Sequence, residues 1–407
     1  MRVLIVTAGS WGDVAPYTGL ATRLAAAGHD VAVATHTRFA ARIAAHRLTF
    51  RPLPLDPREE LASGAGQGLA RAGNPALAMT RAVRLARTFA PRLTRGVEDA
   101  VRGGADVLLA SALADPVCAT LGEALRIPCI GVYLQPLTPT GDFPPLVSGA
   151  RSYGRPANRL AGHAVWAATE QLFAPAVREL RRELGLPPRR TLLPRDRTVL
   201  HGFSQSVVPR PADWPAGHRI TGYWWPEHSP HWQPDPRLAA FLDDGPPPVL
   251  AGFGSFVEAD SARLSALLVR ACRLARVRLV LQSGWSGLHA TGDDVLTIGE
   301  APHPWVFPRT AAVIHHCGAG TSAAGLRAGV PAVPVPVQLD QHFWAARLHR
   351  LGVAPRPLRY QRLTAADLAG AIRTAVAIPA ARPRAVAAAL AAEDGTAPVL
   401  AALARLG

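Results

Sequence analysis

No lysine occurs among the 407 residues, so all 44 basic side chains are arginine. That absence excludes a Walker-type phosphate loop with its lysine, a Schiff-base lysine and pyridoxal-phosphate chemistry. Cysteine is scarce: the four, at 118, 129, 272 and 317, show no C-x-x-C pairing and no metal-ligand spacing. They read as free thiols in a reducing compartment. Long apolar runs are missing too. The longest stretch without Asp, Glu or Arg, 310–326, contains two adjacent histidines and three glycines. A spanning helix needs about 18 mostly apolar residues, so none is expected. The opening MRVLIVTAGSWGDV has too short an apolar segment for a secretory leader. A cytoplasmic location is the expectation. Acidic residues are in deficit, 29 against 44 basic, for a net charge of +15. This balance suits a phosphorylated ligand, an anionic surface or a nucleic acid. No dense basic block with interleaved aromatics appears, so a nucleic-acid partner is not expected.

What is present is 49% apolar residues, enough for large cores. At roughly 150 residues per domain the length suggests two domains. Val3 to Ala8 reads as a buried parallel strand, Pro16 to Ala27 as a helix closed by Gly28, and Val31 to Thr35 as the next strand. This unit predicts right-handed crossovers and a parallel sheet. Asp106 to Ala110, a helix at Pro116 to Leu125, and Cys129 to Leu134 continue the pattern. The proline-rich stretch 135–145 follows as a loop at a strand's carboxyl end, where α/β proteins bind ligands. Prolines and tryptophans crowd 209–236, which reads as an interdomain linker. A second α/β pattern follows. Its strands fall at Pro248 to Phe253, Arg278 to Gln282, Val295 to Ile298, Ala312 to Ile314 and Ala332 to Pro336. Its helices fall at Ala262 to Leu274, Thr321 to Ala328 and Gln341 to Leu351, and alanine-rich Arg384 to Leu406 reads as a final surface helix. The expected divisions are 1–208, the linker 209–236, 237–383, and a terminal helix in 384–407. The expected fold is α/β, two Rossmann-like doubly wound parallel-sheet domains.

The most informative segment is His315-His-Cys-Gly-Ala-Gly-Thr-Ser322, between a strand and a helix. Glycines 318 and 320 let the backbone approach a bulky anion, and a helix start adds unpaired N–H groups with partial positive charge. The arrangement suits a pyrophosphate, with His316 and Thr321 as side-chain donors. Asp340-Gln341, some twenty residues on, matches the vicinal hydroxyls of a sugar, or is an ordinary helix cap. Asp13, in Gly9-Ser-Trp-Gly-Asp, is placed either to take a proton from an attacking hydroxyl or to cap the first helix. Gly252-Phe-Gly-Ser255 offers a second phosphate donor. Trp305 suits either a nucleobase or core packing.

In combination these residues resemble the GT-B glycosyltransferases. His316-Cys-Gly-Ala-Gly-Thr321, Gly329-Val-Pro331 and Asp340-Gln341 resemble the donor signature of that fold. Pro302 to Arg309, the opening Gly9 to Val14, Gln135-Pro-Leu-Thr-Pro139 and Phe143-Pro-Pro145 are similar to the sterol glucosyltransferases and their bacterial natural-product relatives. Gly222-Tyr-Trp-Trp225 and Gly284-Trp285 are weaker matches. The resemblance implies two domains facing each other across a cleft, the terminal helix returning to the first. It implies an inverting hexosyl transfer from a UDP- or TDP-sugar to a hydroxyl of a lipophilic small molecule, such as a polyketide, macrolide or sterol. No metal and no cofactor are implied, the donor being a co-substrate. It assigns Asp13 as general base. Ser10, Ser255, Trp305, His316, Gly318, Ala319, Gly320, Thr321, Asp340 and Gln341 fall to the donor, and Trp11, Gln135, Pro136 and Phe143 to the acceptor. Trp11 departs from an arginine usual in the branch, Pro304 from an acidic residue, and Cys317 from the glycine frequent in bacterial members. A peripheral membrane contact stays open as a further partner. A nucleotide-sugar epimerase and a non-catalytic sugar-nucleotide-binding partner are the competing readings; the first would need several acids at the sugar and no acceptor loop.

Overall fold

Four consecutive apolar residues, Val3 to Val6, are buried on both faces, as in a strand covered by helices on either side. This strand, β1 (Arg2–Val6), is flanked by β2 (Asp30–His36) and β4 (Val107–Ala110). With β3 (Thr49–Leu53), β5 (Cys129–Tyr133), β6 (Val199–His201) and β7 (His218–Ile220) it forms a seven-stranded parallel sheet of order 3-2-1-4-5-6-7. A second parallel sheet contains β8 (Val249–Gly252), β9 (Leu279–Gln282), β10 (Val295–Ile298), β11 (Ala312–His315) and β12 (Ala332–Pro334) in the order 10-9-8-11-12. The computed structural model describes residues 1–56, 75–194, 196–226, 232–256 and 260–406. Residues 227–231 of the expected linker lie outside them.

Each sheet reverses its strand order once, between β1 and β4 and between β8 and β11. Crevices open at the carboxyl ends of strands at such reversals. The period of two then sets the layers. Val3, Ile5, Val31 and Val33 face one core with Leu20 and Leu24 of the helix Trp11–Ala26. Leu4, Val6, Ala32 and Ala34 face the other, under the helices Pro75–Arg102, Asp115–Leu125 and Arg155–Glu183. In the second half Val249 and Ala251 pack against the helices Ser261–Ala275 and Ala365–Val376, and Leu250 against Pro236–Asp243.

A further apolar cluster joins the halves. Phe143, Phe203, Val207, Trp214 and Tyr223 from the first meet Cys317, Leu326, Phe343, Trp344, Leu348 and Leu390 from the second. The chain crosses between the halves twice. The first crossing, at 221–226, presses on the helix Trp11–Ala26 at Gly19, where a Cβ would overlap the Trp225 carbonyl. The return crossing, 392–396, carries Val399 and Leu403 of the helix Ala397–Leu403 into the first core.

Several boundaries differ from the sequence reading. The first helix begins at Trp11 rather than Pro16, because Asp13 supplies the hydrogen bonds that start it. The terminal helix is two, Ala381–Ala391 and Ala397–Leu403. Gly395 breaks it where the chain runs against the Tyr223 carbonyl, and Asp394 Oδ1 accepts from the N–H groups of Thr396 and Ala397 at 2.9 and 3.1 Å to start the last piece. The proline-rich segment 209–236 contains β7. None of the described helices is long and apolar enough to cross a membrane.

Candidate active site

At the carboxyl end of β1 the chain turns through Gly9, whose φ of +137° suits glycine. A Cβ there would stand 2.6 Å from Asp13 Oδ2, so the turn closes tightly over that carboxylate. The Gly9 N–H donates to His36 Nε2 at 2.8 Å. His36 Nε2 is therefore the acceptor, and its Nδ1–H faces the Leu55 carbonyl at 2.9 Å. Burial holds this histidine neutral, with its pKa lowered to about 4. Asp13 Oδ2 accepts from the Ser10 N–H at 2.9 Å and the Ser10 hydroxyl at 3.0 Å. The Gln135 side chain lies near enough to help hold the carboxyl pKa down. Desolvation still raises its pKa above the usual value. Asp13 is thus both the start of the helix and a half-buried carboxylate of raised basicity.

The facing half centres on the turn after β11. No side chain caps the helix Ala319–Ala328, whose first intrahelical bond is Ser322 N–H to the Gly318 carbonyl. The first-turn N–H groups of Ala319, Gly320 and Thr321 make a positive end without an internal partner. His316 lies over this end: a Cβ on Gly318 would stand 2.8 Å from its Nε2, and one on Gly254 3.3 Å from its Cε1. The imidazole is buried, its pKa lowered to about 4 by desolvation and by His303. It therefore meets a ligand as a neutral donor. Cys317 has φ +65°, which explains why glycine suits the position. Its N–H donates to His315 Nδ1 at 3.0 Å. The Gly254-Ser255 loop is held by the Trp285 N–H on the Gly254 carbonyl at 2.9 Å.

These ends meet. Pro16 has no N–H to give the Gly12 carbonyl, and that carbonyl lies 3.8 Å from where a Cβ on Gly320 would stand. The helices Trp11–Ala26 and Ala319–Ala328 thus converge by their N-terminal turns. Asp340 completes the cleft. Its carboxyl pKa is raised to about 6, first by desolvation and also by the charge of Asp13, so the two acids sense each other across the cleft. Trp344 Nε1–H donates to Asp340 Oδ2 at 2.8 Å. Gln341 Oε1 accepts from the N–H groups of Val337 and Gln338 at 2.8 and 3.0 Å. Both its acceptor sites are taken, which leaves its amide nitrogen for a ligand.

Ser10, Asp13 and Gln135 are thus in one group, facing Asp340 and, at the Gly12–Gly320 approach, the turn 316–321. Trp305 lies further out. Arg309 covers its ring at 4.4 Å and Trp232 meets it edge-on at 5.3 Å. Trp11 packs on Phe39 at 5.3 Å under the Arg42 guanidinium at 4.5 Å, a cation on the aromatic face where an arginine was usual. Pro136 is buried. Phe143, expected at the acceptor, is buried against Phe343 at 5.2 Å with Arg347 above it at 5.4 Å, so its ring packs the two halves together. Sequence reasoning missed His36, Trp344 and the bridging pair Arg42–Glu300 at 2.5 Å. His36 had one signal, its place at the end of a strand beside β1.

With this geometry in hand, two family models match the chain: Glycosyltransferase family 28 N-terminal domain over residues 3–140, and Erythromycin biosynthesis protein CIII-like, C-terminal domain over 278–405. An O-mycaminosyltylonolide 6-deoxyallosyltransferase of Streptomyces fradiae is 37% identical over 415 residues, covering 97% of this chain and 95% of its own. A sterol 3-beta-glucosyltransferase of Emericella nidulans is 33% identical over 394 residues, covering 87% of this chain and 26% of its own. The chain therefore spans about a quarter of that fungal relative. Among solved structures, the glycosyltransferase VinC in complex with DTDP matches with a TM-score of 0.70 at 19% identity, over 100% of this chain and 99% of that one.

Proposed function

This chain belongs to the GT-B glycosyltransferases of the antibiotic and sterol type, and we propose that it moves a hexose from a UDP- or TDP-sugar to a hydroxyl of a lipophilic small molecule, inverting the anomeric carbon without a metal. One observation carries the reading: two helix N-terminal turns and neutral His316 converge beside a pair of acids, Asp13 and Asp340, contributed by opposite halves.

The diphosphate takes the uncapped end at Ala319, Gly320 and Thr321, with His316 and Ser255 as side-chain donors. Ser10 reaches it from the opposite half. The leaving diphosphate gains charge as the glycosidic bond breaks, and fixed N–H groups stabilise that charge without reorganising. Asp340 and the Gln341 amide nitrogen hold sugar hydroxyls. Asp13 takes the proton of the acceptor hydroxyl as its oxygen attacks the anomeric carbon. The bond to the diphosphate breaks on the opposite face, and its electron pair leaves with the phosphate oxygen. Desolvation favours Asp13 as a base. Gln135 and Trp11 border the acceptor side. Trp305 and Arg309 together form the wall for the base.

The test is calorimetric titration with UDP, TDP, GDP and NAD in EDTA, then product analysis by NMR. UDP or TDP binding without metal, and an inverted anomeric configuration, are expected. Binding of none of the nucleoside diphosphates, or a retained configuration, overturns the reading.

A further inference from the structure

We propose that Trp344 is a positioning residue for Asp340: its indole N–H fixes the direction of the carboxylate, and its ring ties that direction to the packing of the first domain. The inference rests on the reading of Asp340 as a sugar-holding group.

Asp340 stands at the first turn of the helix Gln341–Arg350, and the indole N–H reaches its Oδ2 from one turn along. Among the described residues, the other groups that act on the carboxyl give it no cation. Asp13 faces it from the helix Trp11–Ala26 with like charge, and the buried Cys317 thiol faces it from the donor turn. Arg347, on the same helix, lays its guanidinium over the rings of Phe143 and Phe343 at 5.4 and 4.9 Å. A desolvated carboxylate beside a second acid and without a cation depends on neutral donors to stay ionised and in place.

The indole is itself held from both halves. Trp344 is 1% exposed. Its ring meets Phe203, just past β6 of the first domain, edge to face at 6.1 Å and 70°. It meets Phe343 at 5.3 Å, and Phe343 in turn meets Phe143 of the first domain at 5.2 Å. Such edge-to-face contacts fix ring orientation. A shift of the first domain against this cluster therefore turns the indole, and the N–H with it. Donor grip and domain contact become one variable.

The experiment compares Trp344→Phe, Asp340→Asn and the double variant, by donor KM, acceptor KM, kcat and the pH profile of kcat/KM for the donor. Trp344→Phe keeps an aromatic ring, though a smaller one, and removes the N–H. Loss of a hydrogen bond to a charged group is expected to raise donor KM by about tenfold, with acceptor KM unmoved. The acid limb of the profile should move to higher pH, because the ionised Asp340 loses a donor. The double variant should be no worse than Asp340→Asn alone, since the two act through one group. Multiplying effects, or equal rises in both KM values with an unmoved acid limb, overturn the proposal. Should Trp344→Phe fail to fold, Phe203→Leu keeps the indole and removes its direct first-domain contact; it should raise donor KM alone, and an unchanged donor KM overturns the tie. If Asp340→Asn leaves donor KM unchanged, the sugar-holding reading fails with it. If Asp340→Asn raises donor KM and Trp344→Phe does not, the Trp344 proposal alone fails.

Discussion

Asp13 shows how one side chain answers two questions posed by its spacing. It accepts from the Ser10 N–H and hydroxyl, so it starts the first helix, and it remains at the cleft as a carboxylate of raised pKa. Asp13→Asn keeps an oxygen for the Ser10 groups and removes the proposed base. Turnover should fall by at least about a hundredfold while nucleotide binding and melting temperature hold; stopped assays and calorimetry check both halves of that statement. Asp13, His316 and Asp340 were legible because a short run of chain places each one. The place of Gln135 at the carboxyl end of a strand was legible, but its closeness to Asp13 was not. His36 was not legible either, since its partner Gly9 lies on another strand and only sheet pairing brings them together.

Elements were readable where burial on two faces leaves an unbroken apolar run, as in β1, β4 and β11. They were unreadable where strands are short and carry His, Arg or Pro, as in β3, β6 and β7. The helix Arg155–Glu183 escaped for a related reason. It carries Pro175 internally and leaves Leu160 74% exposed, so no clean apolar stripe marks it. The turn after β11 was the clearest element of all, because its glycines are there for a reason visible in space. A methyl group on Gly318 would stand 2.8 Å from His316 Nε2. Gly318→Ala should therefore displace the imidazole and weaken nucleoside diphosphate binding by about tenfold. The melting temperature should change little, since the φ of −60° at this residue suits alanine. Titration of the folded variant is the check.

The molecule as a whole stores neutral histidines. His36, His201, His218, His315 and His316 have pKa values lowered from 6.5 to between about 3 and about 4, with desolvation the largest cause in each. The unfolded chain takes up these protons from about pH 6.5 downward and the folded chain does not. Stability is therefore complete above that pH and declines as pH falls from about 6.5 towards 4. Melting temperatures measured across that window should fall steadily; a flat profile would contradict it. Two domains could be read from the two α/β patterns. Their shared apolar cluster could not, since Phe143 and Phe203 meet Phe343 and Trp344 from distant parts of the chain. The two crossings, unlike the cluster, also touch each other. Trp224 Nε1–H donates to the Gly395 carbonyl at 2.9 Å, and a Cβ on Gly395 would stand 2.4 Å from the Tyr223 oxygen. Two covalent threads running side by side act as the pin of a door. Any turn of one half against the other would have to break the shared apolar cluster and pivot on these two threads, with the helix Ala397–Leu403 staying on the leaf that holds β1.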